Sequence, residues 1–423
     1  MATSFFHEEI VAFTDMVKDF EDQLVYAPHV TRLDELTDEQ MVATRDTIWV
    51  DTPMIGASYD GFDQTSNFDG LTELVVPATV GFHKSSPKVL SSKNLRNQRA
   101  MSRWMDAAKA KLAADVNSAL RQRIALEGAI FTKRTVAPTG FDDLALSGAQ
   151  MNEIGVPLEG RVAMIGTRAA IGMMSNLAAR QTIGEMSKRA YERALINPNV
   201  AGFEAYQDDQ PIRLAAASGG AMTVNGANQY WEPAAFTTNA DGSQVNRDNR
   251  YSQLVVTGGT IANAKKGDAF TLPGVNAVHR ISKQDTGQLQ TFRVIAVNTS
   301  TNTLTIAPAI ISNGGNTIAG KEYQNVTAAP ANGAALTWLN TATAEVNPFF
   351  TKGSVLLLPG SFKVDAGDGW AVAKATTPKF NLPITYVRQG NINDLSLKAR
   401  VDIDFGTALL APDQAGATMF NQS

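Results

Sequence analysis

The sequence predicts an α+β fold that combines a long helix, an extended β-ribbon and an all-β module. Three observations support this class. The stretch 92–128 is rich in strong helix formers and has no Gly or Pro before its last residue. Strand-like segments precede it at 47–50 and 71–80. Residues 223–345 are rich in Thr, Asn, Gly, Val and Ala and carry few helix signals.

The stretch 92–128 predicts one continuous helix, which we call the spine helix. Its apolar side chains recur every three or four residues and form one stripe, namely Met101, Met105, Ala108, Leu112, Val116 and Ala119. Ser91 or Ser92 can cap the start, and Gly128 can adopt the left-handed turn that ends the helix. A rise of about 1.5 Å per residue gives a rod of roughly 50 Å, so we expect other elements to be arranged along it.

The N-terminal segment predicts an amphipathic helix over 5–26. Its apolar stripe consists of Phe6, Ile10, Phe13, Val17, Phe20 and Leu24. Residues 1–40 carry ten acidic residues against two basic ones, whereas residues 84–111 carry eight basic residues against one acidic one. Two interpretations remain open. Both segments are solvated faces, or the acidic arm docks on a basic surface of a neighbour or partner protein, because complementary potentials select partners.

Helix and strand signals are mixed between the spine helix and residue 222. We predict helices at 142–154, 167–180 and 188–195, and a buried strand at 161–165. Strand-like runs follow at 253–257, 269–272, 291–297 and 303–306. Further strands are predicted at 355–359, 381–388 and 397–404. This order predicts a small β-barrel or sandwich inserted into an α+β core.

Composition and motifs argue against catalysis, metal binding and membrane insertion. The 423 residues include no Cys, which excludes thiolate zinc sites and Cys nucleophiles. The four histidines (His7, His29, His83 and His279) form no pair at helical spacing. The stretch 315–321 has the spacing of a phosphate loop, but Glu322 replaces the hydroxyl residue, and we predict no helix after it. We expect no enzyme activity, cofactor or metal.

Two bulk properties bear on partners and location. No apolar run reaches the length of about 18 residues that a membrane helix needs, and the net charge of −4 gives no overall attraction to nucleic acid. The first nine residues lack the features of a signal peptide, so we expect no export.

Four features in this order resemble the major capsid proteins of tailed double-stranded DNA phages. They are the acidic arm, the β-ribbon, the spine helix and the run 199–206 (NVAGFEAY). The segments 244–250 (QVNRDNR) and 266–275 (KGDAFTLPGV) are similar to the insertion domain of coat proteins from short-tailed, lambda-related phages of enteric bacteria. The segments 387–392 and 399–406 are similar to the C-terminal strands of that family. The resemblance covers nearly the whole chain.

The resemblance implies a domain order and a function. The six parts are the N-arm 1–45, the extended β-ribbon loop 46–91, the spine helix of the peripheral domain 92–128, the peripheral/axial core 129–222, the inserted β-barrel 223–345, and the return to the peripheral and axial domains 346–423. The implied protein is a structural subunit of an icosahedral virion capsid, usually of the T=7 class. Its implied partners are other copies in pentamers and hexamers, a scaffolding protein, a portal, and double-stranded DNA enclosed without sequence-specific binding. Assembly is expected in the host bacterial cytoplasm.

Two alternatives stay open from the sequence. An encapsulin-type nanocompartment shell has the same core fold and encloses an enzyme cargo. A nucleotide-dependent enzyme that uses 315–321 is the third hypothesis, although we expect no nucleotide binding there.

The resemblance also implies contact residues. The loop 237–250 matches a loop that contacts a neighbouring capsomer across a two-fold axis, although the residues alone also fit a solvated loop. The expected inter-subunit contacts are Asp241, Arg247, Asp248 and Arg250 in this loop, Lys84 and Lys88 near the ribbon, and Arg96 and Arg103 in the basic first half of the spine helix. Asp15 and Asp19 are the expected contacts of the arm with a scaffolding protein. Some related shells carry Lys–Asn cross-links, but this subfamily is not expected to form them.

Overall fold

The computed structural model describes residues 5, 7–33, 46–56, 58, 60–65, 68, 70–91, 98–179, 199–362, 364, 370–391 and 396–423. The chain forms two compact units. The first unit consists of Met1–Ile48, Pro77–Arg121 and Leu356–Ala408, and the second of Trp49–Val76, Gln122–Val355 and Leu409–Ser423. Both units contain helices and strands, so the predicted α+β class is confirmed.

The described helices and strands have the following bounds. The helices are α1 (His7–Phe20), α2 (Gln98–Glu127), α3 (Phe141–Ile154), α4 (Thr167–Ala179) and α5 (Ile318–Glu322). The strands in the first half of the chain are β1 (Thr31–Arg32), β2 (Thr47–Asp51), β3 (Val75–Leu90), β4 (Ile130–Lys133), β5 (Arg161–Gly166), β6 (Asn199–Val200), β7 (Phe203–Asp208) and β8 (Arg213–Leu214). The remaining strands are β9 (Met222–Val224), β10 (Phe236–Thr238), β11 (Gln244–Asn246), β12 (Ser252–Gly258), β13 (Ala269–Val278), β14 (Asp285–Asn298), β15 (Thr303–Ala307), β16 (Thr337–Trp338), β17 (Ala344–Thr351), β18 (Val355–Gly360), β19 (Trp370–Thr376), β20 (Pro383–Asn391), β21 (Ser396–Leu409) and β22 (Ala415–Met419).

A β-sheet and the helix α1 form much of the first unit. The strands lie in the order β1-β18-β21-β20-β19, and β3 pairs with both β21 and β2. The inward face of α1 buries Phe13 and Phe20, and the Phe13 ring lies 5.8 Å from that of Tyr386. Ile10 is 47% exposed, so its predicted place in the apolar stripe is wrong, because the buried face of α1 is narrower than the stripe. Phe6 lies outside the described residues.

The strand β3 is longer than the sequence predicts. The expected strand ended at residue 80, but β3 continues to Leu90. Its second half pairs antiparallel with β21, from Val80 opposite Gly406 to Leu90 opposite Leu397. The polar sequence HKSSPK is therefore extended because a partner strand more than 300 residues away supplies its backbone hydrogen bonds.

The second unit contains a sheet in the order β4-β22-β17-β5-β7-β6, with β8 also paired to β17. Its core includes Met151 of α3 and Ala170 of α4. The rings of Phe203 and Phe349 meet edge to face at 5.9 Å in this core. The strand β17 was not predicted. It contains Pro348, which lies opposite Ala417 of β22 in a regular antiparallel register.

The second unit also contains a six-stranded sheet within residues 222–338. Its strands lie in the order β16-β13-β14-β15-β12-β9. The sheet closes on itself, because the residues before β16 pair with β9: Val224 N–H donates to Ala334 O and Leu336 N–H donates to Met222 O, both at 2.9 Å. The enclosed side chains include Leu254, Phe270, Leu272, Phe292, Val294, Leu304 and Ile306. The division of the chain into the six parts given above stays a prediction.

The long helix α2 has the predicted apolar stripe. All six stripe residues are buried, from Met101 to Ala119. The helix has 30 described residues, about 45 Å at the usual rise. Residues 92–97 and the expected cap at Ser92 lie outside the described residues, as does the helix expected at 188–195.

Gly128 follows the helix as predicted, but the predicted reason, a left-handed backbone conformation, is wrong. Gly128 follows α2 but does not have a positive φ. An added Cβ would lie 2.8 Å from Ala415 C, Gly416 N and Ile124 O, all of them backbone atoms. The position therefore requires Gly because another segment of backbone passes too close for a side chain.

We expect Gly128→Ala to lower the free energy of unfolding by about 1–3 kcal/mol, because backbone must move to admit the methyl group. Chemical denaturation measures the change. Gly353→Ala is the matched control, because its added Cβ would meet nothing within 4 Å. Equal stability of the two variants would contradict the close-approach explanation.

Candidate functional site

The predicted contact loop 237–250 contains an exposed two-stranded ribbon. The strands β10 and β11 pair antiparallel, with Phe236 opposite Asn246. Between them the chain turns tightly: Asn239 N–H donates to Ser243 O at 2.9 Å, and Gly242 has a φ of +84°. All residues from 236 to 245 are exposed. The ribbon therefore presents its side chains to solvent in this chain.

Asp241 lies at the tip of this ribbon. Its Oδ1 accepts hydrogen bonds from Ser243 N–H at 3.0 Å and from Ser243 Oγ at 2.6 Å. The hydrogen bonds from Ser243 hold the pKa of Asp241 below its usual value. The carboxylate is thus ionised at neutral pH, fixed in direction by the turn, and exposed.

Arg247 and Asn249 hold the base of the ribbon. The Arg247 guanidinium lies 3.8 Å from the centroid of the Trp231 ring, a cation–π contact. The buried Asn249 accepts from Trp231 Nε1 at 3.1 Å and donates to Ala234 O at 2.9 Å. The sequence analysis missed Asn249, because its partner Trp231 lies 18 residues away and no local pattern distinguishes it from other loop asparagines.

Asp248 and Arg250 contact each other. Arg250 Nε and Nη2 donate to the Asp248 carboxylate at 2.9 and 2.7 Å, and Nη1 donates to Leu409 O at 2.7 Å. The side chain of Arg250 is 11% exposed. In this chain the pair fixes the ribbon to its own unit, and its predicted role between subunits stays a prediction.

The acidic residues of the arm fall into two groups. Glu9 and Glu21 are buried and bind groups of the same unit: Glu9 pairs with Arg388 at 2.5 Å, and Glu21 Oε1 accepts from the backbone N–H groups of Lys379 and Phe380 at 2.6 and 2.7 Å. No local pattern in the sequence distinguishes these two acids, because their partners lie more than 350 residues away.

The two acids that we predicted as scaffold contacts are exposed on α1. Asp15 takes part in no ion pair within the described part of the chain, and Asp19 lies 3.7 Å from Lys109. Lys109 also contacts Asp106 at 3.2 Å. The arm therefore keeps an acidic outer face while its inner acids bind the sheet.

The predicted basic contacts lie on two elements. Lys84 is opposite Ile403 and Lys88 is opposite Ala399 in the pairing of β3 with β21. Lys88 is exposed, and Lys84 is partly exposed. Arg103 is exposed on α2. Arg96 lies outside the described residues.

The stretch 315–321 differs from the prediction in one respect. The short helix α5 begins within it, although none was expected. The hydroxyl of Thr317 accepts from Gly320 N–H at 3.1 Å and so occupies the start of this helix. An added Cβ on Gly315 would lie 1.8 Å from Glu232 Oε1, which shows how closely a carboxylate approaches the loop. An anion at this position would meet the negative charge of Glu232.

Two further kinds of feature are absent from the described residues. Among the helices that the structure describes, none is long and apolar enough to cross a membrane. Within the same residues, no cluster of three or more His, Cys, Asp or Glu side chains could hold a metal ion.

Comparisons with known proteins identify the family. The family model described as P22 coat protein, gene protein 5, matches residues 1–421. Among solved structures, the capsid of cyanophage P-SCSP1u is 11% identical, with a TM-score of 0.46 over 96% of this chain and 88% of that chain. A chain of Mycobacterium phage Che8 is 11% identical, with a TM-score of 0.45 over 93% and 90%. The CUS-3 coat protein I-domain is 35% identical, with a TM-score of 0.22 over 30% of this chain and 99% of that chain.

The match over residues 1–421 covers every candidate contact residue described above. It places the protein among structural capsid proteins. The chain belongs to the P22 coat protein family and is a coat protein of the tailed-bacteriophage capsid.

Proposed function

We propose that this coat protein assembles with a scaffolding protein into an icosahedral procapsid, which then expands into the mature shell around double-stranded DNA. The single observation that carries this proposal is the family match over residues 1–421. The shell consists of pentamers and hexamers of the T=7 class in a short-tailed phage, with the portal as a further partner. Assembly takes place in the host bacterial cytoplasm. The same match favours a phage coat protein over an encapsulin-type shell.

Expansion requires no covalent chemistry in this proposal. Subunits rotate and parts of the arm, ribbon and spine helix change conformation, and newly buried interface area drives the change. The DNA is enclosed without sequence-specific contacts, which is consistent with a net charge of −4.

Three surfaces are proposed as contacts. The exposed acids Asp15 and Asp19 on α1 face a basic segment of the scaffolding protein. The ribbon tip at Asp241, with Arg247, Asp248 and Arg250 at its base, contacts a neighbouring capsomer. The basic residues Lys84, Lys88, Arg96 and Arg103 contact adjacent subunits.

Coexpression with the scaffolding protein tests the function directly. Electron microscopy of the purified product should show closed shells of uniform diameter. Protein that stays monomeric with its scaffold at physiological salt would refute the proposal. Shells that form without a scaffold and enclose an enzyme would instead support a nanocompartment.

We expect Asp241→Asn to slow shell assembly without changing the denaturation midpoint. The amide oxygen still accepts the two hydrogen bonds from Ser243, so the turn is kept and only the charge is lost. Asp285→Asn is the matched control, because Asp285 is also an exposed acid that caps a turn, at Gly287. Light scattering during assembly measures the rate. Equal assembly rates for both variants would show that the ribbon tip is a solvated loop that makes no contact during assembly.

A further inference from the structure

Four side chains of β3 and β21 form a continuous polar row in the first unit. His83 lies opposite Asp404, and its Nδ1 is 2.5 Å from Asp404 Oδ1. Its Nε2 is 3.0 Å from Arg400 Nη2. Arg400 Nε donates to Asp402 Oδ2 at 2.7 Å. We call these four residues the β3–β21 polar row.

The contacts of the row indicate which ring nitrogen of a neutral His83 carries the proton. A guanidinium group can only donate hydrogen bonds, so Nε2 of His83 must accept from Arg400. The proton of the neutral ring therefore lies on Nδ1 and is donated to Asp404. This state satisfies every contact in the row.

A second proton on the ring is incompatible with one of these contacts. Protonated Nε2 would point an N–H group at the N–H group of Arg400, and both side chains would be cationic. Imidazole is the side-chain group that ordinarily changes its charge in mild acid. The contact of His83 with Asp404 survives, because Nδ1 keeps its proton.

The groups around the row favour separation of Arg400 from His83 in acid. The Asp402 side chain is 1% exposed and keeps its ion pair with Arg400. Asp404 is 13% exposed, and burial raises its pKa while the bond from His83 lowers it; Asp402 and Asp46 raise it further. The ring of Phe362 packs edge-on against His83 at 5.3 Å.

A further charged group lies on another strand, beside the ring of Phe362. Lys374 of β19 lies 5.7 Å from the centroid of the Phe362 ring. It adds positive charge on the side of Phe362 and offers no acceptor to a protonated Nε2.

We propose that His83 is an acid-sensitive latch: protonation of its Nε2 releases Arg400 and loosens the pairing of β3 with β21. The latch acts within one chain and does not depend on the proposed route of assembly. Arg400 and Asp402 also line a groove of about 830 Å³, together with Trp370. The same proton therefore changes the charge beside this groove.

Hydrogen exchange of the full chain tests the latch. We expect the protection factors of β3 amides, corrected for the intrinsic effect of pH, to fall about fivefold between roughly pH 7.5 and 5.5, as for the loss of one hydrogen bond. His83→Gln should show no such fall, because an amide does not gain a proton in this range. His279→Gln, which changes a histidine of the second unit, should behave like the unmodified protein. An equal fall in His83→Gln would overturn the proposal.

A second variant and a spectroscopic measurement give independent tests. Asp404→Asn keeps an oxygen that accepts from Nδ1–H but removes the charge that favours the protonated ring, so the pH midpoint of the exchange change should decrease. Nitrogen-15 spectra of histidine-labelled protein should show Nδ1 protonated and Nε2 unprotonated near pH 7.5, with His83→Gln identifying the signal. A proton on Nε2 at that pH, or an unchanged midpoint in Asp404→Asn, would contradict the latch.

Discussion

Arg388→Met is expected to lower the free energy of unfolding of the first unit by about 3–5 kcal/mol, because it removes the cation that pairs with the buried Glu9 carboxylate. Arg388 Nη1 lies 2.5 Å from Glu9 Oε2, and the two side chains are 7% and 2% exposed. Tyr386 OH donates to Glu9 Oε1 at 3.5 Å, and Phe5 lies 4.9 Å below the guanidinium. Chemical denaturation and proteolysis of α1 measure the loss.

The double variant Glu9→Gln/Arg388→Met distinguishes an unpaired charge from lost packing. Both members of the pair are then uncharged, so the double variant should recover most of the stability lost in Arg388→Met. Arg103→Met removes an exposed arginine of the same unit and should change stability by no more than about 0.5 kcal/mol. A double variant as unstable as Arg388→Met would show that packing, rather than charge, holds the arm on the sheet.

Glu127→Gln is expected to destabilise the second unit by about 1.5–3 kcal/mol at neutral pH, the range for hydrogen bonds to a charged group. The Glu127 side chain is 1% exposed at the end of α2. It accepts from Arg123 at 2.6 Å, from Lys266 at 2.7 Å and from Tyr251 OH at 3.2 Å. These bonds connect the end of α2 to the residue just before β12 and to the turn before β13.

The effect of Glu127 on stability should depend on pH. Burial raises the pKa of this carboxyl, but Arg123 and Lys266 outweigh burial, and the net pKa is lowered from 4.5. A carboxyl with a lowered folded-state pKa stabilises the fold above its unfolded pKa and loses this contribution as the pH falls through the folded value. The stability difference between the unmodified chain and Glu127→Gln should therefore shrink below about pH 4.5.

Glu153→Gln is the matched control for this pH dependence, because Glu153 is an exposed acid of α3 in the same unit. Its stability should follow that of the unmodified chain at every pH. If the stability difference between the unmodified chain and Glu127→Gln stayed constant down to low pH, the ionised form of Glu127 would not be the stabilising species.

Local patterns in the sequence were sufficient to predict the elements whose hydrogen bonds form within one short stretch of the chain. The apolar stripe of α2 is correct at every predicted position because a helix makes its hydrogen bonds internally, and periodicity alone shows which face is buried. The hairpin of β14 and β15 was likewise predictable, because its turn and both strands lie within one short stretch.

Long-range pairing explains what the sequence did not show. The second half of β3 and the strands β17 and β22 contain polar residues, Pro or Gly, and they are extended because a distant partner strand supplies their hydrogen bonds. For the same reason, the sequence did not show which charged residues are buried. Glu9 and Asp15 look alike in the acidic arm, yet one is buried against Arg388 and the other is exposed.

The sequence by itself determined the α+β class, the long helix and the family resemblance, because these depend on periodicity, composition and residue order along the chain. Only the tertiary structure decided which charges are available for contact, since burial and ion pairing depend on residues brought together from distant segments. It also decided why residue 128 must be Gly and which nitrogen of a neutral His83 ring carries the proton, because each depends on a neighbour from a distant segment.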